Sequence, residues 1–397
     1  MRFLNEIIIF APMYVALFWA LVLLLIPGSK NRAKHFLGFF MIGATLVYFS
    51  HAVFFSKQTG LYVYFDSIYV LATLSVYPLY YWYIRLLTVE SSCRLTMIWH
   101  FVPPFLIAST IAIVYILMEF PLDYIQHCLY KKADYAKLDD SLWKLNYTLT
   151  FFSRIYLFIQ VVWLLPKGLK LIHDYESRLK AFYSNLEGRS VNWAKWLIVI
   201  FTITAVMSTV ANIIGRSYFV TNNFLLAVPA IVFTVLIFII GYLGHVQQYS
   251  VFELQFEEAK NDAEMYRAPE NVSILSNQIL TSSLKLQLID LFENKVIYCQ
   301  SDLKISTICE ALNTNRTYVS KLINDEFLCS FSDFVNKYRV DAAKKLILDD
   351  TENNYTLEQI AEKVGYSSAG TMIRNFKSHY NMTPGMLRQK KRVVSKS

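Results

Sequence analysis

The chain has 397 residues, of which 55% are hydrophobic, 16% are aromatic and only 17% are charged. This composition is too apolar and too poor in charge for a wholly soluble protein, so part of the chain is expected to lie in a membrane. The net charge of +8 resides in residues 1–245, which contain 19 of the 38 Lys and Arg but only 11 of the 30 Asp and Glu.

Residues 1–245 are predicted to form a bundle of membrane-spanning helices. Seven apolar stretches in this region reach the roughly 20 residues that a bilayer crossing needs. The first has its positive charges after the apolar run and lacks a small-residue cleavage site, so it is interpreted as an anchor rather than a signal peptide. The seven stretches are 6–27, 34–55, 61–87, 97–118, 148–168, 193–214 and 222–245.

The distribution of Lys and Arg predicts the orientation of these spans. With the N-terminus outside, the inner loops contain eleven Lys and Arg and the outer segments contain seven. Because positive charge concentrates on the cytoplasmic side, we expect a multi-pass protein of the cytoplasmic (inner) membrane. Seven spans then leave the C-terminus in the cytoplasm.

Four polar residues are predicted to lie at similar depth in the outer half of the membrane. Ionisable groups in lipid normally pair, so Asp66 and Arg154 could form an ion pair beside a pocket for an unknown ligand or membrane signal. A purely structural pair, or side chains reaching the interface, is the stronger interpretation of the same pattern. The four candidate sensor residues are His51, Asp66, Arg154 and Asn212.

The sequence contains no motif of a membrane enzyme or transporter. The predicted spans contain no H-E-x-x-H, no paired aspartates, no G-x-S-x-G, no phosphate-binding glycine loop and no pair of broken half-helices. The five cysteines are scattered without metal-ligand spacing, so neither a zinc site nor a disulfide framework is predicted. We therefore expect no catalytic residues, no metal and no cofactor.

Residues 246–281 are predicted to form a helical connector. Its apolar residues follow a 3, 4, 3, 4, 3 spacing, which is the seam of a coiled coil and could make a homodimer stalk. The seam covers fewer than three heptads, so an amphipathic helix lying against the protein remains an alternative. Pro269 is expected to end the helix. The seam residues are Tyr249, Phe252, Phe256, Ala259, Ala263 and Tyr266.

Residues 282–397 are predicted to form a DNA-binding domain with two helix-turn-helix units. In the first unit, Cys309 is the small residue at the helix crossing, and Asn313 can adopt the left-handed conformation of the turn. The exposed side chains of its second helix are suited to bases and phosphates. These residues are Asn315, Arg316, Thr317, Tyr318, Ser320 and Lys321.

The second unit repeats the arrangement, with Ala361 at the crossing, Gly365 at the turn, and Met372 and Phe376 facing inward. An amphipathic helix of about 17 residues joins the units and spans roughly 25 Å. That length could place the two recognition helices in successive major grooves, roughly 34 Å apart. The predicted inner face of this helix consists of Phe331, Phe334, Val335, Tyr338, Ala342 and Leu346.

Residues 282–392 resemble the C-terminal DNA-binding domain of AraC-family transcription activators. The motifs are NRTYVSKLI, SFSDFVNKYRVDAAKKLI, IAEKVGY, RNFKSHYNMTP and Arg388, in this order. The resemblance implies sequence-specific binding to double-stranded promoter DNA, usually activation, and therefore a contact with RNA polymerase. By position, it assigns DNA contacts to Arg316, Thr317 and Lys321 in the first unit and to Ser367, Ser368, Arg374 and Lys377 in the second.

The second unit departs from the family pattern at Met372, Asn381, Leu387 and the pair Ala369-Gly370. A glycine in the recognition helix costs about 1 kcal/mol and offers no base contact, so this unit is expected to bind phosphates rather than bases. After residue 365 the chain has seven Lys and Arg and no Asp or Glu. This run either binds phosphates or forms a solvated basic tail.

These features together predict an all-α, one-component signalling protein: a seven-helix membrane sensor, a connector, and a cytoplasmic domain that regulates transcription by binding DNA. The function of the membrane half is inferred from its partner domain. The alternative is a membrane transporter or lipid-modifying enzyme with a regulatory DNA-binding tail. A further variant releases the C-terminal domain by proteolysis near the connector.

Overall fold

A computed structural model describes residues 2–25, 32–89, 95–130, 140–187, 189–191, 194–196, 198–199, 202–203, 224–246, 254–255, 259, 274–350 and 354–394. Within these ranges the chain is helical apart from turns and one isolated antiparallel bridge between Tyr183 and Lys304, with no strand. The all-α fold class is therefore confirmed. The chain divides into two compact units, Met1–His173 with Val191–Phe252, and Asp174–Ser190 with Glu253–Ser397.

The first unit consists mainly of long apolar helices. A short 3₁₀ helix, Leu95–His100, precedes α4, and a π-helical turn, Ile125–Tyr130, follows α5. Helix α6 is 42 residues long, or roughly 63 Å, and its last residues, from Asp174, belong to the second unit. The helices are α1 (Arg2–Leu25), α2 (Arg32–Phe55), α3 (Thr59–Thr88), α4 (Val102–Leu117), α5 (Pro121–Tyr124), α6 (Ser141–Phe182) and α7 (Phe224–Val246).

Five of these helices, α1, α2, α3, α6 and α7, are long and apolar enough to cross a membrane, by length and composition. They correspond to five of the seven predicted spans. The predicted fourth span, 97–118, contains the 16-residue helix α4, which is apolar but shorter. The predicted sixth span, 193–214, lies mostly outside the described residues. A count of seven spans thus stays a prediction.

Close contacts between helices hold the first unit together. Helix α1 packs against α2 and α7, and α2 packs against α3. Gly241 of α7 lies against the Trp19 ring so closely that a Cβ there would be 2.2 Å from the ring. Small residues permit such approaches between apolar helices. The Lys34 ammonium donates to the carbonyl of His245 at 2.7 Å, and so satisfies the C-terminal end of α7.

The second unit is a set of shorter helices whose ends are capped by side chains. Asn315, Ser330, Thr356 and Ser368 each accept a hydrogen bond from a backbone N–H in the first turn of the helix that follows. The helices are α8 (Ile274–Glu293), α9 (Ile305–Ala311), α10 (Arg316–Phe327), α11 (Phe331–Asp349), α12 (Leu357–Lys363), α13 (Ala369–Tyr380) and α14 (Pro384–Val394).

The predicted connector is described only at residue 246, where α7 ends, at residues 254–255, at residue 259 and from residue 274 onward, where α8 begins. The seam residues Tyr249, Phe252, Phe256, Ala263 and Tyr266, like Pro269, lie outside the described residues. The dimer stalk therefore stays a prediction.

Candidate DNA-binding interface

Helices α9 and α10 form the first helix-turn-helix unit. Asn313 adopts a φ of +47° in the turn, and the N–H of Thr314 donates to the carbonyl of Cys309 at 3.0 Å. Ile308, Cys309 and Ile323 are buried between the helices. The predicted left-handed turn and small crossing residue are thus confirmed, and they fix how α10 projects from the domain.

The exposed side of α10 contains most of the predicted contact residues. Thr317, Tyr318 and Lys321 are exposed. Asn315 caps the helix, because its side chain accepts from the backbone N–H of Tyr318 at 3.2 Å. Arg316 is only half-exposed, since its guanidinium lies 3.5 Å from the centre of the Phe182 ring. This contact comes from a segment that the sequence analysis placed in an inner loop of the membrane domain.

Helices α12 and α13 form the second unit. Gly365 has a φ of +85°, and the N–H of Tyr366 donates to the carbonyl of Ala361 at 2.8 Å. Met372 and Phe376 are fully buried, as predicted. The same arrangement therefore occurs twice, with the second recognition helix, α13, beginning after its N-cap Ser368.

The predicted contact residues of the second unit divide into two pairs. Arg374 and Lys377 are exposed on α13. The hydroxyls of Ser367 and Ser368 donate to the carboxylate of Glu187, at 2.5 and 3.1 Å. The pKa of Glu187 is lowered, chiefly because the Ser367 hydroxyl donates to it. Ser368, Thr371 and the charge of Arg374 lower it further. Sequence reasoning missed this carboxylate.

Helix α11 holds the two units together and is buried on more than one side. Phe334 contacts the rings of Phe327 in α10 and Phe292 in α8. The predicted inner face omitted Val340, Ala343 and Ile347, which pack in the core of the second helix-turn-helix unit. The helix is apolar on the side that faces the first helix-turn-helix unit and also on the side that faces the second. A prediction with one apolar face therefore identified only part of its buried surface.

Arg339 of α11 is a charged residue in the core that sequence reasoning also missed. It is 1% exposed, and its guanidinium donates to the carbonyls of Tyr298 and Gln300 and lies 5.5 Å from the Tyr366 ring. Burial lowers its pKa to about 10, which still leaves it charged at neutral pH. Arg339 therefore joins the loop before the first unit to the second unit.

Part of the C-terminal basic run has a structural role. Arg388 donates to the carbonyl of Tyr355 and lies 4.0 Å from Asp350, and Lys391 donates to the carbonyl of Leu348 near the end of α11. These contacts favour a packed helix over a solvated tail for this stretch. Lys390, in contrast, is exposed and could contact a phosphate.

Among the apolar helices of the first compact unit, Asp66 is 3% exposed and accepts hydrogen bonds from the hydroxyls of Tyr62 and Tyr115 at 2.7 and 2.9 Å. His51 contacts the Tyr69 ring. The Arg154 side chain is exposed, and Asn212 lies outside the described residues. The ion pair and the sensor site stay predictions. The two tyrosine partners of Asp66 were not predicted from the sequence.

The described residues contain no group of three or more His, Cys, Asp or Glu that could hold a metal ion. Their four cysteines are free thiols, and Cys128 and Cys309 are buried. What the interface offers chemically is hydrogen-bond donors and positive charge on two exposed helices.

Residues 308–390 match the family model described as "Helix-turn-helix domain". The uncharacterized HTH-type transcriptional regulator YtdP of Bacillus subtilis is 36% identical over 95 residues, which are 24% of this chain and 12% of that protein. The HTH-type transcriptional activator CfaD of Escherichia coli is 29% identical over 116 residues, 28% of this chain and 42% of that protein. This chain therefore spans less than half the length of either relative.

A solved structure, the C-terminal domain of the two-component response regulator yesN from Fusobacterium nucleatum, has 26% sequence identity and covers 27% of this chain and 98% of that chain, with a TM-score of 0.24. The match to the family model falls in the second compact unit, Asp174–Ser190 with Glu253–Ser397. The C-terminal part of this chain is an AraC-type helix-turn-helix DNA-binding domain.

Proposed function

We propose that this chain is a membrane-bound, one-component transcription regulator that binds promoter DNA through α10 and α13. The observation that carries the proposal is the presence, in one chain, of two helix-turn-helix units and five helices apolar and long enough to span a membrane. Two curated relatives, CfaD and YtdP, have names of transcriptional regulators, and this favours regulation over transport or lipid modification.

The geometry of the domain supports binding across two major grooves. Helix α11 has 19 residues, or roughly 28 Å, and its packing on both units fixes the spacing between them. Successive major grooves on one face of DNA are roughly 34 Å apart. Thr317 and Lys321 would read bases or phosphates from α10, and Arg374 and Lys377 would bind phosphates from α13.

In this proposal the membrane half senses an unidentified external or membrane-borne signal, with Asp66, His51, Arg154 and Asn212 as candidate residues. The N-terminus lies outside and the DNA-binding domain lies in the cytoplasm beside membrane lipid. A homodimer and a contact with RNA polymerase complete the proposal. A full switch from 1% to 99% active requires about 5.5 kcal/mol of differential binding, which a single ligand can supply.

The test is selection of random-sequence DNA duplexes by the full-length protein in lipid nanodiscs. We expect enrichment of a motif with two blocks spaced by one helical turn, about 10 base pairs. Arg316→Ala with Lys321→Ala should abolish the enrichment. Lys295→Ala with Lys345→Ala removes the same charge from exposed sites outside both recognition helices and should preserve it. Binding without any enriched sequence would contradict the proposal.

A further inference from the structure

The last residue of α6 and the residues after it pack against the DNA-binding domain within the second compact unit. Phe182, Tyr183 and Ser184 are at most 4% exposed. The backbone N–H and the hydroxyl of Ser184 both donate to the carbonyl of Leu303, at 3.1 and 2.7 Å. Residues 182–187 and 189–190 are called the docked segment below.

Further contacts secure both ends of the docked segment. The carbonyl of Ser184 accepts from the side chains of Ser332 and Asn336 at 3.3 and 3.4 Å, and its hydroxyl accepts from Arg339 at 3.3 Å. Arg189 forms a two-pronged ion pair with Asp302 at 2.9 and 3.3 Å. Planar pairs of this kind fix geometry as well as adding attraction.

The docked segment reaches the N-terminal ends of both recognition helices. At α10, the Phe182 ring lies 3.5 Å from the guanidinium of Arg316. At α13, the Glu187 carboxylate accepts from the hydroxyls of Ser367, Ser368 and Thr371, the last at 3.1 Å. Arg316, Ser367 and Ser368 are three of the residues to which the resemblance to AraC-family domains assigns DNA contacts.

Glu187 has the chemistry of a DNA phosphate. Both are anionic groups of oxygen acceptors, and the N-terminus of a helix attracts either through its free N–H groups and dipole. The lowered pKa of Glu187, caused chiefly by the Ser367 hydroxyl, means that this site favours a negative charge. In helix-turn-helix proteins this end of the recognition helix approaches the duplex.

We infer that the docked segment is an autoinhibitory element, in which Glu187 occupies the position of a DNA phosphate at α13 while Phe182 covers Arg316 at α10. The inference rests on the proposed function. DNA and the docked segment compete for the same side chains, so each weakens binding of the other. Because the segment begins at the last residue of α6, movement of that helix is a route by which a signal would release the DNA-binding surface.

The test measures binding of full-length protein in nanodiscs to a pool of random-sequence duplexes by fluorescence anisotropy. Glu187→Gln should bind about fivefold more tightly or better than the wild type, because the anionic competitor is lost. Glu293→Gln makes the same change of charge at an exposed residue in α8 and should match the wild type. Glu187 lies in an exposed turn, so its substitution leaves the fold intact.

Equal affinities of the three proteins would overturn the inference and leave the proposed function standing. Absence of DNA binding by all three would overturn both. Hydrogen exchange provides a second test that needs no variant. Saturating DNA should accelerate hydrogen exchange of the Ser184 amide in the wild type, because DNA displaces the docked segment. Unchanged exchange at this amide with DNA bound would also overturn the inference.

Discussion

The Nε atom of Arg339 donates a hydrogen bond to the carbonyl oxygen of Tyr298 at 2.7 Å. A second donation, to the carbonyl of Gln300 at 2.6 Å, leaves this buried guanidinium bound to a loop about 40 residues earlier in the chain. Backbone carbonyls removed from water need such partners. Besides the apolar packing of α11, this cation therefore ties the loop before the first helix-turn-helix unit to that helix.

Replacement of Arg339 by Met should therefore destabilise the DNA-binding domain. Met fills similar volume but leaves two part-buried carbonyls without these donors, and we expect a loss of about 1–3 kcal/mol. The urea dependence of proteolysis of this domain in the full-length protein measures the loss. Lys345→Met, at an exposed position of the same helix, is the control. Equal urea midpoints for the two variants would show that Arg339 is dispensable.

The two glycines of the second helix-turn-helix unit should respond oppositely to alanine. At Gly365 the φ of +85° disfavours a side chain, and a Cβ would lie 2.5 Å from the carbonyl oxygen of Tyr298, so Gly365→Ala should cost about 1–3 kcal/mol. At Gly370, inside α13, the nearest atom is 4.0 Å away, so Gly370→Ala should stabilise by about 0.5–1 kcal/mol. The same proteolysis assay checks both signs, and a stabilising Gly365→Ala would refute the turn geometry.

Arg374 and Lys377 should contribute affinity without sequence preference. Both are exposed on α13, and contacts with phosphates release counterions from DNA. The double change to Ala should weaken binding to every sequence and reduce the slope of log affinity against log salt by about 2. The exposed pair Lys295 and Lys345, replaced by Ala, should leave the slope unchanged. A loss confined to one DNA sequence would instead assign base reading to α13.

The proposed orientation can be tested with introduced cysteines at two exposed positions. Gln126→Cys precedes α6 and is expected outside, whereas Lys180→Cys lies near the end of α6 and is expected in the cytoplasm. Native Cys128 is a poor reporter, because burial raises its pKa to about 11. In a background with Cys93 and Cys128 replaced by Ala, an impermeant thiol reagent should label only Gln126→Cys in intact cells. Labelling of Lys180→Cys alone would reverse the topology.

The features that the sequence predicted correctly are those with local chemical causes. Asn313 and Gly365 stand where a tight turn needs a left-handed residue, and both have positive φ. The inward positions of Met372 and Phe376 follow from helical periodicity. Such signals lie within a few residues of one another, so no knowledge of the tertiary fold is needed.

The features that the sequence did not predict depend on partners far away in the chain. Arg339 lies on a helix where a charged residue is expected to face solvent, and only the carbonyls of the loop at 298–300 explain its burial. Glu187 is an exposed acid in a short turn, and its serine partners are 180 residues later. One local signal was overlooked: Asn315 stands before a helix at a capping position, and capping uses its side-chain oxygen.

In the proposed function, a protein held in the membrane binds promoter DNA through α10. The most direct measurement is DNA occupancy in the native host, by crosslinking and sequencing, for the wild type and for Arg316→Ala with Lys321→Ala. We predict discrete promoter peaks that disappear in the variant while both proteins stay in the membrane fraction. Absence of peaks under every growth condition, or identical peaks in the variant, would refute DNA binding through α10.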